Sequence, residues 1–197
     1  MTVVLIVIAA LAVIAVIYGV VTFNRLIRVR TRAEEGFSDI DVQLKRRHDL
    51  IPNLVETVKG YASHERQVFE NVTAARSAAV AAKGPQAQGQ AENALTGALR
   101  QLFAVAEAYP DLKASRNFLE LQDEITDTED KIQASRRFYN MTVRDLNVAV
   151  ETFPSRVIAG MANVGKREFF ELDDEAERAV PQVSFEAGST AGSAPPA

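Results

Sequence analysis

The chain has 197 residues, 47% of them hydrophobic and 24% charged, which suits one domain of ordinary size better than two. With no cysteine, two histidines (His48 and His64), no tryptophan and 7% aromatics, the composition excludes several classes. Among them are a disulfide framework, a thiolate metal site, a cysteine nucleophile, a histidine-rich metal centre and an aromatic platform for stacking bases or sugars. Six acids and one base lie from Glu171 onward, a net of −5, which leaves 21 basic and 20 acidic residues, or +1, for the rest. No broad basic face is implied, so nucleic acid is not an expected partner.

Met1 to Asn24 holds no charged side chain, and Val3 to Phe23 is an apolar run of 21 residues. As a helix it reaches ~31 Å, the thickness of a bilayer's hydrocarbon core. It is apolar all round, unlike a surface helix, and lipid offers its backbone no partners outside a helix. Tyr18 and Phe23 stand where aromatics favour the interface, and Arg25, Arg28, Arg30 and Arg32 follow. Positive charge on that side predicts a single-pass protein of the cell (inner) membrane, with its N-terminus outside and its C-terminal part cytoplasmic. A cleaved signal peptide would have a basic start, a shorter apolar stretch and a small-x-small site, and these features are missing here.

From Phe37 onward apolar residues recur at spacings of three and four. Phe37, Ile40, Leu44, Ile51, Leu54, Val58 and Tyr61 share one register, continued by Val68, Val72, Ala75 and Ala79. This is the seam of a helix packed on other helices, interrupted by Arg47 and Glu65. Pro52 deprives the His48 carbonyl of its helical partner, so a kink is expected there. Gly60 is a second weak point, Ser63 is a candidate cap for a new helix, and residues 33–82 are read equally well as one bent helix or two. Lys83 to Gly89 reads as a loop. A helix from about Gln90 to Ala108 presents Leu95, Leu99, Leu102, Ala106 and Tyr109, and Pro110 stops it. The last long helix is expected from about Ser115 to Thr152, with Phe118, Leu121, Ile125, Ile132, Tyr139, Leu146, Ala149 and Phe153 on its seam. Thr128, Ser135 and Thr142 fill the remaining seam positions, and Pro154 ends it. Beyond it, Gly160 and Gly165 frame a short helical turn at best, and Phe169 to Leu172 is a candidate docking segment. Val180 to Phe185 carries a short strand signal, and Gly188 to Ala197 reads as a disordered low-complexity tail.

Chemistry-bearing patterns are sparse. A carboxylate-bridged metal pair in a helical bundle needs Glu-x-x-His motifs. The positions three before His48 and His64 are Lys45 and Tyr61, so neither a metal nor a cofactor is expected. His48-Asp49 permits a general base held by a carboxylate, but no nucleophile or phosphate loop accompanies it, and a packed polar contact is preferred. His64 reads as solvated surface. Arg47 occupies a seam position. If buried it demands a partner, and Asp127 or Glu129 of the last helix is the expected one. The sequons at Asn71 and Asn140 fall in predicted helices and read as accidental.

Several stretches resemble the bacterial LemA family. The longest is Ser38 to Tyr61 (SDIDVQLKRRHDLIPNLVETVKGY), joined by Ala106 to Ala114 (AEAYPDLKA), Phe118 to Gln122 (FLELQ), Thr128 to Ile132 (TEDKI), Arg136 to Asn140 (RRFYN) and Phe153-Pro154. The resemblance covers about residues 18–175. It implies a single-span membrane protein with a cytoplasmic antiparallel helical bundle and no established catalytic residue. The expected fold is therefore all-α, an N-terminal transmembrane helix followed by an antiparallel bundle of three to four long helices. The expected domains are an anchor (1–24), a LemA-like bundle (25–172) and an acidic, low-complexity tail (173–197). The expected function is a non-enzymatic, membrane-anchored scaffold or interaction module that self-associates on the lipid bilayer. An adaptor or regulator of a membrane enzyme such as a protease, with a membrane-protein partner, is the alternative, and a bundle enzyme using His48 is a third.

Overall fold

The structure, a computed structural model, describes residues 1–171. The expectations for Leu172, for the strand at Val180 to Phe185 and for the tail lie outside the described residues. Within them there are six helices and no strand.

Helix α1 runs unbroken from Thr2 to Lys59, 58 residues, or ~87 Å at 1.5 Å per residue. The apolar segment and the first heptad-patterned stretch are therefore one helix. It continues through Pro52 because the His48 carbonyl, left without a helical partner, accepts a hydrogen bond from Arg76 Nε at 2.7 Å. It ends beside Gly60, and a separate helix, α2, spans Arg66–Ala81. Residues 33–82 thus form two helices. Glu65, rather than Ser63, stands at the α2 N-cap position.

Helix α3 spans Pro85–Glu107, with Pro85 in its first turn. The expected loop at Lys83 to Gly89 is therefore shorter, because proline at that position starts a helix as readily as it breaks one. Gly84, with φ 85°, makes the turn that precedes it. One turn, α4 (Pro110–Lys113), leads into α5 (Arg116–Glu151), close to the expected span. Helix α6 (Ser155–Met161) follows Pro154. It ends on Asn163 (φ 50°), with the Val164 N–H donating to the Ala159 carbonyl, a left-handed helix stop that asparagine tolerates.

Contacts between α1 and α5 run in opposite chain order. Phe37 meets Tyr139 at 5.7 Å between ring centroids, and Arg47 reaches Glu129, earlier in α5. Two apolar cores result. The distal one joins Ile51, Leu54 and Val58 of α1 to Phe69 and Val72 of α2, Leu95, Leu99 and Leu102 of α3, and Phe118 and Ile125 of α5. The proximal one, nearer the apolar segment, is smaller: Ala33, Ile40 and Leu44 with Ile132, Tyr139, Val143 and Phe170.

Phe170 arrives on a non-helical strap after α6. Asn147 donates to the Arg167 carbonyl and accepts from the Arg167 N–H, both at 2.9 Å. Asn140 makes the same pair with Phe170, at 3.0 and 2.9 Å. The spacing explains the match: seven residues of helix and three of extended chain both advance about 10 Å. Two asparagines one heptad apart therefore meet two backbone sites three residues apart. Tyr139 Oη also donates to the Glu168 carbonyl at 2.8 Å. Beyond Phe170 the strap crosses Gly89 of α3, where a Cβ would overlap the Glu171 carbonyl.

Candidate functional site

Two places concentrate polar chemistry, and each grows from the seam pattern. The first is a buried ionic layer between the two cores, where Arg47 and Glu92 are almost wholly enclosed. On α1 it falls at the seam position between Leu44 and Ile51. Arg47 Nη1 stands 2.9 Å from Glu129 of α5 and 3.6 Å from Glu92 Oε2 of α3, and Arg47 Nη2 donates to Thr96 Oγ1 at 2.8 Å. His48 Nε2 shares a 2.7 Å hydrogen bond with Glu92 Oε1. Arg47 Nε and Glu92 Oε2 are left without a hydrogen-bond partner, so the layer is not fully satisfied.

Asp127, the other acid considered for Arg47, lies on the outer face of α5. It bonds Lys131 at 2.7 Å and lies 3.8 Å from Arg46. Thr128, the adjacent residue, occupies the buried seam position, so Asp127 points away from Arg47. The Lys131 hydrogen bond holds the Asp127 carboxyl below the ordinary carboxylate value, against desolvation, with the Lys131 and Arg46 charges adding to the effect.

Glu92, Thr96 and Arg76 escaped the sequence reading. Glu92 lies three residues before Leu95 on the same helical face, and Gln88, also buried, lies four before Glu92. Extending the α3 seam backward through Pro85 is the signal that reaches both. His48 is interior and faces Glu92, whereas His64 is exposed.

The second place is the junction of α1 with the end of α5. Tyr18 and Phe23 are exposed, as are Arg25, Arg28, Arg30 and Arg32. Arg28 Nε donates to the Asn24 carbonyl at 3.2 Å, and Arg30 pairs with Glu34 at 3.1 Å. Glu34 also pairs with Arg167 of the strap. Thr22 and Leu26, by contrast, are buried. They line a groove of about 570 Å³ together with Arg25 and Arg144 and the exposed side chains of Tyr18, Val148 and Phe153.

Among the described residues, these features define an all-helical fold with one N-terminal helix long and apolar enough to cross a membrane. Its helical domain is divided by an ionic layer. The chain belongs to the LemA family, whose model matches residues 36–185. It is 31% identical to Protein LemA of Metamycoplasma hominis over 140 residues, 69% of this chain and 63% of that protein. It is 25% identical to Magnetosome protein MamQ of Magnetospirillum gryphiswaldense over 174 residues, 75% of this chain and 64% of that one. Magnetosome protein MamQ 2 of Paramagnetospirillum magneticum is 23% identical over 194 residues, 85% and 71% of the two chains. The chain spans less than two thirds of the length of the first two.

Proposed function

We propose that this chain is a non-enzymatic membrane scaffold, an anchored antiparallel helical bundle that self-associates on the cytoplasmic face of the inner membrane. The observation that carries the reading is the continuity of α1. No flexible joint separates the apolar segment from the helix that supports both cores, so the orientation of the anchor is the orientation of the domain. About 36 residues of α1 beyond Phe23 would project ~54 Å from the bilayer. The arginines after Phe23 fix the side and meet anionic headgroups.

An exposed stripe on α5 supports self-association. Ala134, Phe138, Met141 and Val148 are exposed, with Asp145 completing spacings of four, three, four and three. That is a second heptad stripe, running along the edge of the α1 contact, where Phe138 lies over Gly36 and Val148 lines the groove with α1; its exposed part suits a second copy held parallel by the same membrane. Membership of the LemA family and similarity to proteins named for magnetosomes support a membrane-associated role.

The test is the stoichiometry of the full chain in nanodiscs and detergent across concentration. Multimers are expected, and Met141→Lys should shift them to monomers without changing the thermal melt, since Met141 touches neither core. A strictly monomeric wild-type chain at every concentration would refute self-association.

A further inference from the structure

Helix α6 has two apolar faces, and only one of them is covered. Ile158, Ala159 and Ala162 turn inward, and Ile158 lies 3.8 Å from the Cβ position of Gly19 on α1. Ile158, Met161 and Ala162 share a shallow pocket with Val16, Val20 and Phe23. The outward face carries Val157 and Met161, four residues apart and 55% and 82% exposed, and Phe153, in the turn before the helix, is 80% exposed. From Val157 to Gly165 there is no charged residue. Apart from Ser155 and Arg156 in its first turn, the helix offers water no polar side chain.

The position of α6 identifies what covers that face. Gly19 and Val16 lie four and seven residues before Phe23, or about 6 and 10 Å inside the end of the apolar run. An interfacial helix beds about 5–10 Å below the headgroup boundary, so α6 sits at the depth of such a helix. Its outward face is continuous with the exposed surface of Val16 and Val20, the same surface that meets lipid in the anchor reading. Arg156, exposed and one turn before Gly160, has a side chain long enough to reach the headgroups from there.

We infer that α6 is a second membrane element, laid in the cytoplasmic-side interface against the anchor, with Phe153, Val157 and Met161 in the acyl chains. This rests on the anchor reading. It adds that the domain grips the bilayer at both its N-terminal and its C-terminal end, which fixes its tilt as well as its attachment.

The absence of cysteine makes a direct test available. The full chain carrying Ile8→Cys, Val157→Cys, Met161→Cys or Val80→Cys is labelled with an environment-sensitive fluorophore. It is then reconstituted into phosphatidylcholine–phosphatidylglycerol vesicles, with or without bromine high on the acyl chains. All four positions are exposed, so none disturbs a core, and a helical melt confirms each fold. Labels at Val157 and Met161 should be quenched roughly twofold or more, as an interfacial depth requires, while Val80 keeps its signal. Quenching at Ile8 with none at Val157 or Met161 overturns the inference and leaves the anchor standing. No quenching at Ile8 overturns both. A labelled Met161→Cys that is unquenched, with the unlabelled variant crosslinking into disulfide dimers under a mild copper–phenanthroline oxidant, assigns the face to a second copy and also overturns it.

Discussion

The distal and proximal halves of the helical domain are held by different forces. Beyond the ionic layer, sixteen buried residues from α1 to α5 form one contiguous apolar cluster, and burial alone gives that half a cooperative core. Nearer the apolar segment only seven residues are fully buried in the core, one of them Phe170 from the strap. What that half lacks in apolar area it replaces with directed bonds: two asparagine–backbone pairs, the Tyr139 hydroxyl and the Glu34–Arg167 pair. Burial tolerates small shifts, whereas amide pairs do not. The proximal half is therefore the more narrowly specified and the more easily opened of the two.

The largest expected effect lies at the border. Glu92→Leu leaves Arg47 buried with only Glu129 and Thr96, and breaking a buried ion pair from one side costs about 3 kcal/mol or more. Adding Arg47→Leu removes the stranded charge and should recover much of that loss. The check is the thermal midpoint of the single and double variants of the full chain in detergent. If Glu92→Leu or Arg47→Leu alone leaves stability unchanged or raised, with assembly intact, the layer does not specify how the halves join.

Most of the fold could be read from the sequence because its elements are long and their period is regular. Ile40, Leu44, Ile51, Leu54 and Val58 were legible as one face, and all are buried. Failures came where a residue type has two meanings. Pro85 lies in a stretch that reads as a loop and is a helix start. Tyr61 and Phe153 continue a seam in sequence but are exposed, because their helices end first. Half of the ionic layer was legible, since a seam arginine demands an acid. Glu92 is not, because a charged residue three before Leu95 leaves no apolar mark on the seam, although the expected helix already contains it. The strap was out of reach, since asparagine pairing to an extended backbone leaves no periodic trace of its own.

A smaller effect separates the halves without touching either core. Gly89→Ala improves an α3 position by about 1 kcal/mol of helix propensity while driving a Cβ into the Glu171 carbonyl. The distal half should hold or gain stability as the strap end lifts. Hydrogen exchange at the Phe170 and Arg167 amides should then quicken roughly tenfold, about 1.4 kcal/mol of local opening. Uniform loss across the whole domain would mean that strap and distal core are one cooperative unit.

The smallest effect carries a pH signature. Tyr139→Phe removes the bond to the Glu168 carbonyl and should cost about 1 kcal/mol. Burial raises the Tyr139 phenol above the ordinary tyrosine value of 10.0, with Arg167 opposing and Glu168 assisting. The fold therefore holds the proton that the unfolded chain releases first. The stabilisation is complete below the ordinary tyrosine pKa and is lost as pH climbs toward the raised one. In urea titrations the wild-type chain should lead Tyr139→Phe at neutral pH and lose that lead above about pH 10. A lead that persists there would show that the hydroxyl contributes through packing, and that directed bonding is not what closes the proximal half.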